Sequence, residues 1–349
     1  MAGVLITFFL VSVVVSFFVT YGVIRLAEKK KAVSKPTRPR DIHKKPIPLW
    51  GGLAIFLSLV LLIGLAYAIV DFEQKAAIPI HYLVGAFVGA LILIIFGVID
   101  DKYKLKPHES IWGPTLAAVC AVVVGMRIDL ITNPFGGFLE ISQWPILAIV
   151  LTFFWLWWMQ YTTKLLDGLD GLASGVVLIG TLVIFFLAIS KNFFEPTTAL
   201  YALIFAGVLF GFLIWNFNPA KIFLGEGGST LVGFILGVLA IVSGSKLATA
   251  LLVMGVPVLD MIWVMVRRRF FEHKKVTEGD DKHLHFRLLR AGLTHRQAVF
   301  FYYFIAAGFG ASSLFLQSKQ KLIALISLVL IIIGVGIWVT RRRDLKHTN

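Results

Sequence analysis

The stretch Leu83-Val-Gly-Ala-Phe-Val-Gly-Ala-Leu-Ile-Leu-Ile-Ile95-Phe-Gly-Val-Ile-Asp100-Asp101 decides the fold class. It carries no charge from Leu83 to Ile99 and then stops on two adjacent carboxylates. A helix needs about 20 mainly apolar residues to cross the hydrocarbon core of a bilayer. A transmembrane strand would instead alternate apolar and polar residues. The run Leu322–Val339 is equally continuous, and 58% of the 349 residues are hydrophobic. Only 15% are charged, against about 25% in soluble domains. The chain therefore reads as an all-α, polytopic integral membrane protein, one multi-span domain over residues 1–349.

Eleven spans are expected, at 3–26, 50–70, 80–99, 111–126, 144–161, 172–190, 198–215, 229–243, 247–266, 297–316 and 321–340. The fourth and eighth are short, and without one of them the count is ten. Met1–Leu26 lacks a basic segment before its apolar run and a small-residue cleavage site, so it reads as a retained span rather than a removed signal. The lone Cys120 excludes an intramolecular disulfide.

With the N-terminus outside, the inside segments hold 27 of the 33 Lys and Arg residues. That asymmetry marks the inside as cytoplasmic and accounts for most of the net charge of +14. Nucleic acid is therefore not an expected partner. The expected location is the inner (plasma) membrane. The connection 127–143 is the one long outer segment, read as a small hairpin or a re-entrant piece.

Threaded this way, Asp100, Asp101, Asp167, Asp170, Glu226 and Asp260 lie at or near ends of apolar segments, most of them on the cytoplasmic face. His283 and His285 join them in a basic loop. Adjacent Asp100 and Asp101 repel unless a cation is near or one is protonated. In Leu165-Leu-Asp167-Gly-Leu-Asp170-Gly-Leu-Ala173 the two acids share a face if the turn is helical, and Gly168 and Gly171 leave room for a close approach. Asn218-Pro-Ala-Lys221 leads into Gly225-Glu226-Gly-Gly-Ser229, a glycine-rich turn before a span, where backbone N–H groups can hold phosphate. Glu226 there offers oxygen to a hard cation. In His283-Leu-His285-Phe-Arg287-Leu-Leu-Arg290 the histidines suit metal, phosphate or proton transfer, and the arginines suit phosphate. Lys44 and Lys45, before Pro46 and Pro48, can meet an anionic lipid head. Arg267–Arg269 and Arg341–Arg343 read as charges facing lipid headgroups.

Taken together, these motifs resemble the polyprenyl-phosphate N-acetylhexosamine-1-phosphate transferase superfamily (glycosyltransferase family 4). Four occur in family order: the Asp-Asp pair, Asp-Gly-Leu-Asp-Gly-Leu-Ala, Asn-Pro-Ala-Lys followed by Gly-x-Gly-Gly-Ser, and His-x-His-x-Arg-Leu-Leu. The resemblance covers most of the chain. The last motif is similar to the N-acetylglucosamine branch, whereas the phospho-N-acetylmuramoyl-pentapeptide branch usually shows three consecutive histidines.

The resemblance implies transfer of a sugar-1-phosphate, most readily N-acetylglucosamine-1-phosphate, from a UDP-sugar to undecaprenyl or another polyprenyl phosphate, with release of UMP. Such a reaction would initiate a cell-envelope glycan. It implies Mg²⁺ (Mn²⁺ as substitute) and a cytoplasmic-face site, with a homodimer as the candidate assembly. Asp100, Asp101, Asp167, Asp170 and His283 are then the expected catalytic residues. Glu226, Asp167 and Asp170 are the expected metal ligands, and Lys44, Lys45, Lys164, Lys221, His285 and Arg287 the substrate-binding residues. The alternatives are the pentapeptide-transferase reaction of peptidoglycan synthesis and a non-enzymatic transporter or scaffold.

Three positions depart from the family pattern. Lys164 and Tyr161 stand where Asn is common, and Glu226 stands where the glycine-rich turn has Asp.

Overall fold

A computed structural model describes residues 1–36, 45–70, 78–133, 135–190, 194–244, 246–271 and 283–347. Fourteen helices dominate these residues. They are α1 (Ala2–Lys29), α2 (Gly51–Ile69), α3 (Ile80–Tyr103), α4 (Pro107–Ser110), α5 (Trp112–Val123), α6 (Pro145–Leu166), α7 (Leu172–Ala188), α8 (Pro196–Asn216), α9 (Gly225–Val242), α10 (Leu247–Val253), α11 (Gly255–Val266), α12 (Leu284–Arg290), α13 (His295–Ser312) and α14 (Ser318–His347). Two small antiparallel ladders qualify the all-α expectation: Val33–Ser34 with Ile47–Pro48, and Leu130–Thr132 with Phe138–Glu140. The second is the hairpin expected between 127 and 143.

Each of the eleven expected spans coincides with a helix or, at 247–266, with the pair α10–α11, bent by 77°. Among the described residues six helices are long and apolar enough to cross a membrane: α1, α2, α3, α6, α8 and α9. The bent pair raises this to seven. The expected α5 and α7 spans are shorter, at 12 and 17 residues. The chain is thus a polytopic helical membrane protein.

The apolar pattern sorts the helices into centre and rim. α7, α8 and α9 are buried along most of their length, so their hydrophobic side chains meet protein on nearly every side. α1 instead leaves Ile6, Leu10 and Phe18 exposed, and α13 leaves Phe304 exposed. Such surfaces suit lipid and would be costly in water. Ser16 on α1 donates its hydroxyl to the Val208 carbonyl on α8 at 2.7 Å, so the small polar residues of α1 face protein.

The start of α9 sets the position of the polar site. It enters between the N-terminus of α2 and the C-terminal half of α3 through glycine contacts. A Cβ on Gly52 would collide with the backbone of Gly228, and one on Gly97 with the backbone of Gly227. The Gly51 and Gly52 N–H groups donate to the Phe223 and Leu224 carbonyls at 3.0 and 2.9 Å. Backbone therefore touches backbone where three helices meet.

Gly97→Ala is expected to destabilise the protein by about 1–3 kcal/mol, the range for overpacking a tight contact. Gly64→Ala on α2 is the control, because nothing lies within 4 Å of its added methyl. That change should be neutral or stabilising. Thermal unfolding in detergent compares the two, and equal midpoints would refute the contact argument.

Candidate active site at the helix ends

The glycine wedge brings Asp101 to α9. Gly225 adopts φ +74°, a left-handed conformation that glycine accepts without strain. Its missing side chain leaves the space that the Asp101 carboxylate fills. The Glu226 N–H donates to Asp101 Oδ1 at 3.2 Å. One of the first N–H groups of α9, open for phosphate on sequence grounds, is thus taken by a carboxylate. Asp100 turns elsewhere and accepts the Leu105 N–H at 3.0 Å. The two carboxylates diverge to separate donors, yet burial first, with Glu226 and Asp100 adding to it, still raises the Asp101 carboxyl to about 7.

Glu226 and Lys164, the two charged departures from the family pattern, face each other. Lys164 Nζ lies 2.7 Å from Glu226 Oε2 and donates to Ser110 Oγ at 2.9 Å. The pair lines a narrow cleft together with Asp100, Ser110, Thr230, Leu93 and Phe96.

The segment from Asp167 to Gly171 is a tight turn and not a helix, contrary to the condition that put both its acids on one face. Asp167 ends α6 with φ −76° and ψ 53°. Burial pushes its carboxyl up to about 8, and Glu226, Asp170 and Asp101 push the same way. No described group hydrogen-bonds to its side chain. Asp170 points toward the loop after α8: its Oδ2 accepts Asn218 Nδ2 at 2.9 Å and the Ala220 N–H at 3.1 Å. Arg296 donates to the Asn218 carbonyl from the other side at 2.9 Å. Asp170 therefore has one oxygen committed to holding a loop. The bare face of Gly168 is filled by the His285 ring, and Gly171 accepts the Tyr303 hydroxyl on its carbonyl.

Both histidines are buried. Asp260 on α11 holds His283, with Nδ1 2.8 Å from Asp260 Oδ2, while Asp260 Oδ1 accepts the Leu284 N–H at 2.9 Å. The two imidazoles lie parallel, 5.6 Å between centroids and 2° between planes. His285 is only 1% exposed. Burial lowers its pKa to about 3, so it is neutral at physiological pH. Arg287 lies one turn further along α12 and is partly exposed. Lys45 and Lys221 are exposed, Lys221 Nζ standing 5.0 Å from the Trp215 ring centroid. Lys44 lies outside the described residues.

The structure thus groups Asp101, Asp167, Asp170 and Glu226 in one electrostatic neighbourhood, with Asp100 and Lys164 on its rim. Ser110, Asn218, Arg296 and the pairing of Asp260 with His283 are additions to the sequence reading. Asp260 had a signal, an acid inside an apolar segment, but its partner lies 23 residues away across the longest loop. Among the described residues no three His, Cys, Asp or Glu side chains form a ready-made metal cage. The donor set still suits a hard divalent ion. It is carboxylate oxygen only, and burial first, with the neighbouring carboxylates second, raises the Asp167 carboxyl to about 8. Glu226 and Asp167 are the groups able to supply ligands, with phosphate oxygens of a substrate completing the shell.

Comparison with known proteins agrees with this picture. Residues 83–244 match the family described as glycosyl transferase family 4. A probable undecaprenyl-phosphate N-acetylglucosaminyl 1-phosphate transferase of Bacillus subtilis (strain 168) is 32% identical over 94% of this chain and 89% of its own length. A decaprenyl-phosphate N-acetylglucosaminephosphotransferase of Mycobacterium tuberculosis (strain ATCC 25618 / H37Rv) is 31% identical over 92% of this chain and 85% of its own. An undecaprenyl-phosphate alpha-N-acetylglucosaminyl 1-phosphate transferase of Escherichia coli O157:H7 is 29% identical over 84% and 78%.

Two outcomes are expected from this geometry. An unfolded Asp loses its proton near 3.8, whereas folded Asp167 keeps it up to about 8. The folded state therefore binds the extra proton, and stability falls as pH rises from about 4 to 8. Without divalent cations, Asp167→Asn should melt higher than the parent at pH 8 and match it near pH 4; a constant difference across that range would refute the shift. Asp260→Ala leaves the buried Leu284 N–H and His283 without their acceptor and should destabilise the protein by about 2–4 kcal/mol. Asp260→Asn, which keeps an acceptor, should lose less, as thermal unfolding will report.

Proposed function

This chain belongs to glycosyl transferase family 4, and we propose that it transfers N-acetylglucosamine-1-phosphate from UDP-N-acetylglucosamine to undecaprenyl phosphate, releasing UMP. The observation that carries this reading is the meeting of four carboxylates from three distant segments at the ends of α3, α6 and α9. Relatives named for this transfer, at about 31–32% identity over nearly the whole chain, support it.

The acceptor is a membrane lipid and the donor is soluble, so the chemistry belongs at the membrane surface. In our reading the eleven spans place these helix ends on the cytoplasmic side, where the basic loops lie, in the inner membrane. The product would be the first lipid-linked intermediate of a cell-envelope glycan.

A lipid phosphate oxygen attacks the β-phosphorus of the donor. The bond from that phosphorus to the bridging oxygen breaks, and UMP leaves with the electron pair. Phosphate monoesters have a second pKa of about 6, so the nucleophile is already largely dianionic. The harder task is bringing two anions together. When bound, a divalent cation (Mg²⁺, with Mn²⁺ as substitute) neutralises phosphate charge. Glu226 and Asp167 would hold it, Asp170 assisting through its free oxygen.

Asp101, fixed by the Glu226 N–H, orients the lipid phosphate, and Asp100 closes the same wall. His283, its ring set by Asp260, donates to the diphosphate together with Arg287. Neutral His285 packs on Gly168 and shapes the turn that carries Asp167. Lys45 and Lys221 supply the exposed positive rim for the anionic substrates.

The test is UMP release by the purified protein in detergent with undecaprenyl phosphate, Mg²⁺ and a panel of UDP-sugars. Lipid-dependent release, fastest with UDP-N-acetylglucosamine, is the expected result. Asp101→Asn should lose at least about 100-fold in kcat with an unchanged melting temperature, the scale of losing one positioned charged group. Release by the parent without lipid, or full activity of the variant, would overturn this reading.

A further inference from the structure

The Lys164–Glu226 pair has a consequence for the cation that the proposed transfer uses. Lys164 leaves the last turn of α6, and Glu226 lies in the first turn of α9. The helix dipoles favour a cation at the first end and an anion at the second, so each charge is doubly stabilised where it stands. The side chains are 22% and 41% exposed overall, but the Glu226 Oε2 that meets the ammonium is itself buried, so a cation gains that oxygen only when the lysine moves aside.

The pair is not needed to hold its two helices together. α6 and α9 already pack directly at Gly237, where an added methyl would meet Leu156 Cδ2 at 3.2 Å. An ammonium is a single positive charge with donors only. It neutralises Glu226 but cannot bind carboxylate and phosphate oxygens at once, as a divalent ion does. Both cannot hold the same carboxylate oxygen.

We propose that Lys164 is a resident counter-ion that competes with the divalent cation for Glu226, so that lysine and metal exchange on one carboxylate. The displaced ammonium stays beside Ser110 and turns to the anionic phosphates of the donor. The inference rests on the metal-assisted reading above. It makes the empty protein a weak cation binder: the ion gains Glu226 only by breaking a 2.7 Å ion pair. An anionic donor, by giving the ammonium another partner, raises cation affinity, and by linkage the cation raises donor affinity by the same factor.

The experiment is calorimetric titration of Mn²⁺ alone into the full-length protein in detergent, with no donor or lipid present. Lys164→Met should bind Mn²⁺ about tenfold more tightly than the parent, the scale of removing a nearby positive charge and a half-exposed ion pair. Lys164→Arg, which keeps the charge, should stay within about threefold of the parent on the same scale. Glu226→Gln should bind weakly, and adding Lys164→Met to it should restore nothing. Thermal unfolding checks that each variant is folded, and Lys164→Asn replaces Lys164→Met if the latter is not.

Equal or weaker binding by the neutral variant overturns the competition. So does Lys164→Arg binding as tightly as Lys164→Met, or Glu226→Gln binding as tightly as the parent. Because no substrate is present, a failure of the transferase reading would show in the UMP assay and leave these titrations readable on their own terms.

Discussion

The site depends on backbone meeting backbone at the start of α9. Gly227 and Gly228 touch Gly97 of α3 and Gly52 of α2, and no side chain fits between them. That contact sets how deeply the glycine-rich turn enters between the two helices. Asp101, one turn beyond Gly97, then reaches the Glu226 N–H, and Glu226 itself is carried to Lys164 on α6. A larger residue at any of these glycines would separate α9 from α3, and the carboxylates would lose their shared neighbourhood. The apolar helices supply the scaffold, and the glycines decide where its polar ends converge.

A second rule runs through the acids. Asp100 accepts the Leu105 N–H, Asp101 the Glu226 N–H, Asp170 the Ala220 N–H, and Asp260 the Leu284 N–H. Each uses an oxygen to hold the backbone of a connecting segment or helix start, and three of the four reach a different segment from their own. Such charge-assisted bonds are among the stronger ones available, and they give order to loops with little apolar area to bury. Asp167 and Glu226 have no such bond among the described residues. One is held protonated chiefly by burial, with its acidic neighbours adding to it, and the other is neutralised by a lysine. The site at rest thus limits its own negative charge by a proton and an ammonium.

The helical, multi-span character, the hairpin within 127–143 and the gathering of acids at helix ends were legible because each rests on composition over many residues, while six or seven helices, against eleven expected spans, are long and apolar enough to cross a membrane. Hydrophobic runs and the asymmetry of Lys and Arg are properties of whole segments, and bilayer thickness converts them directly into helices. The finer site was less legible because it depends on single contacts between distant segments. That the Asp167–Asp170 turn is not helical follows from the pull of Asn218 and Ala220 on Asp170, some 50 residues further along the chain. That His285 is neutral and buried follows from its fit against Gly168, more than 100 residues earlier. Spacing within one motif reports neither. Asp260 was visible as an acid in an apolar segment, yet its hold on His283 required the fold.

Lys164 and Glu226 show how two departures that look independent in sequence become one feature in space. Taken singly, a lysine in place of an amide adds a positive charge to a metal site, and a longer acid shifts a ligand by one methylene. Each alone argues for weakened chemistry. In the structure the two meet at 2.7 Å, and the pair is one unit more positive than an amide with one acid. Direct packing of α6 on α9 at Gly237 already joins the helices, so the pair is not needed as their brace. Its position in the cleft, with Ser110 holding the lysine on one side and Asp100 lining the other, makes charge balance in the site the explanation that accounts for both substitutions at once.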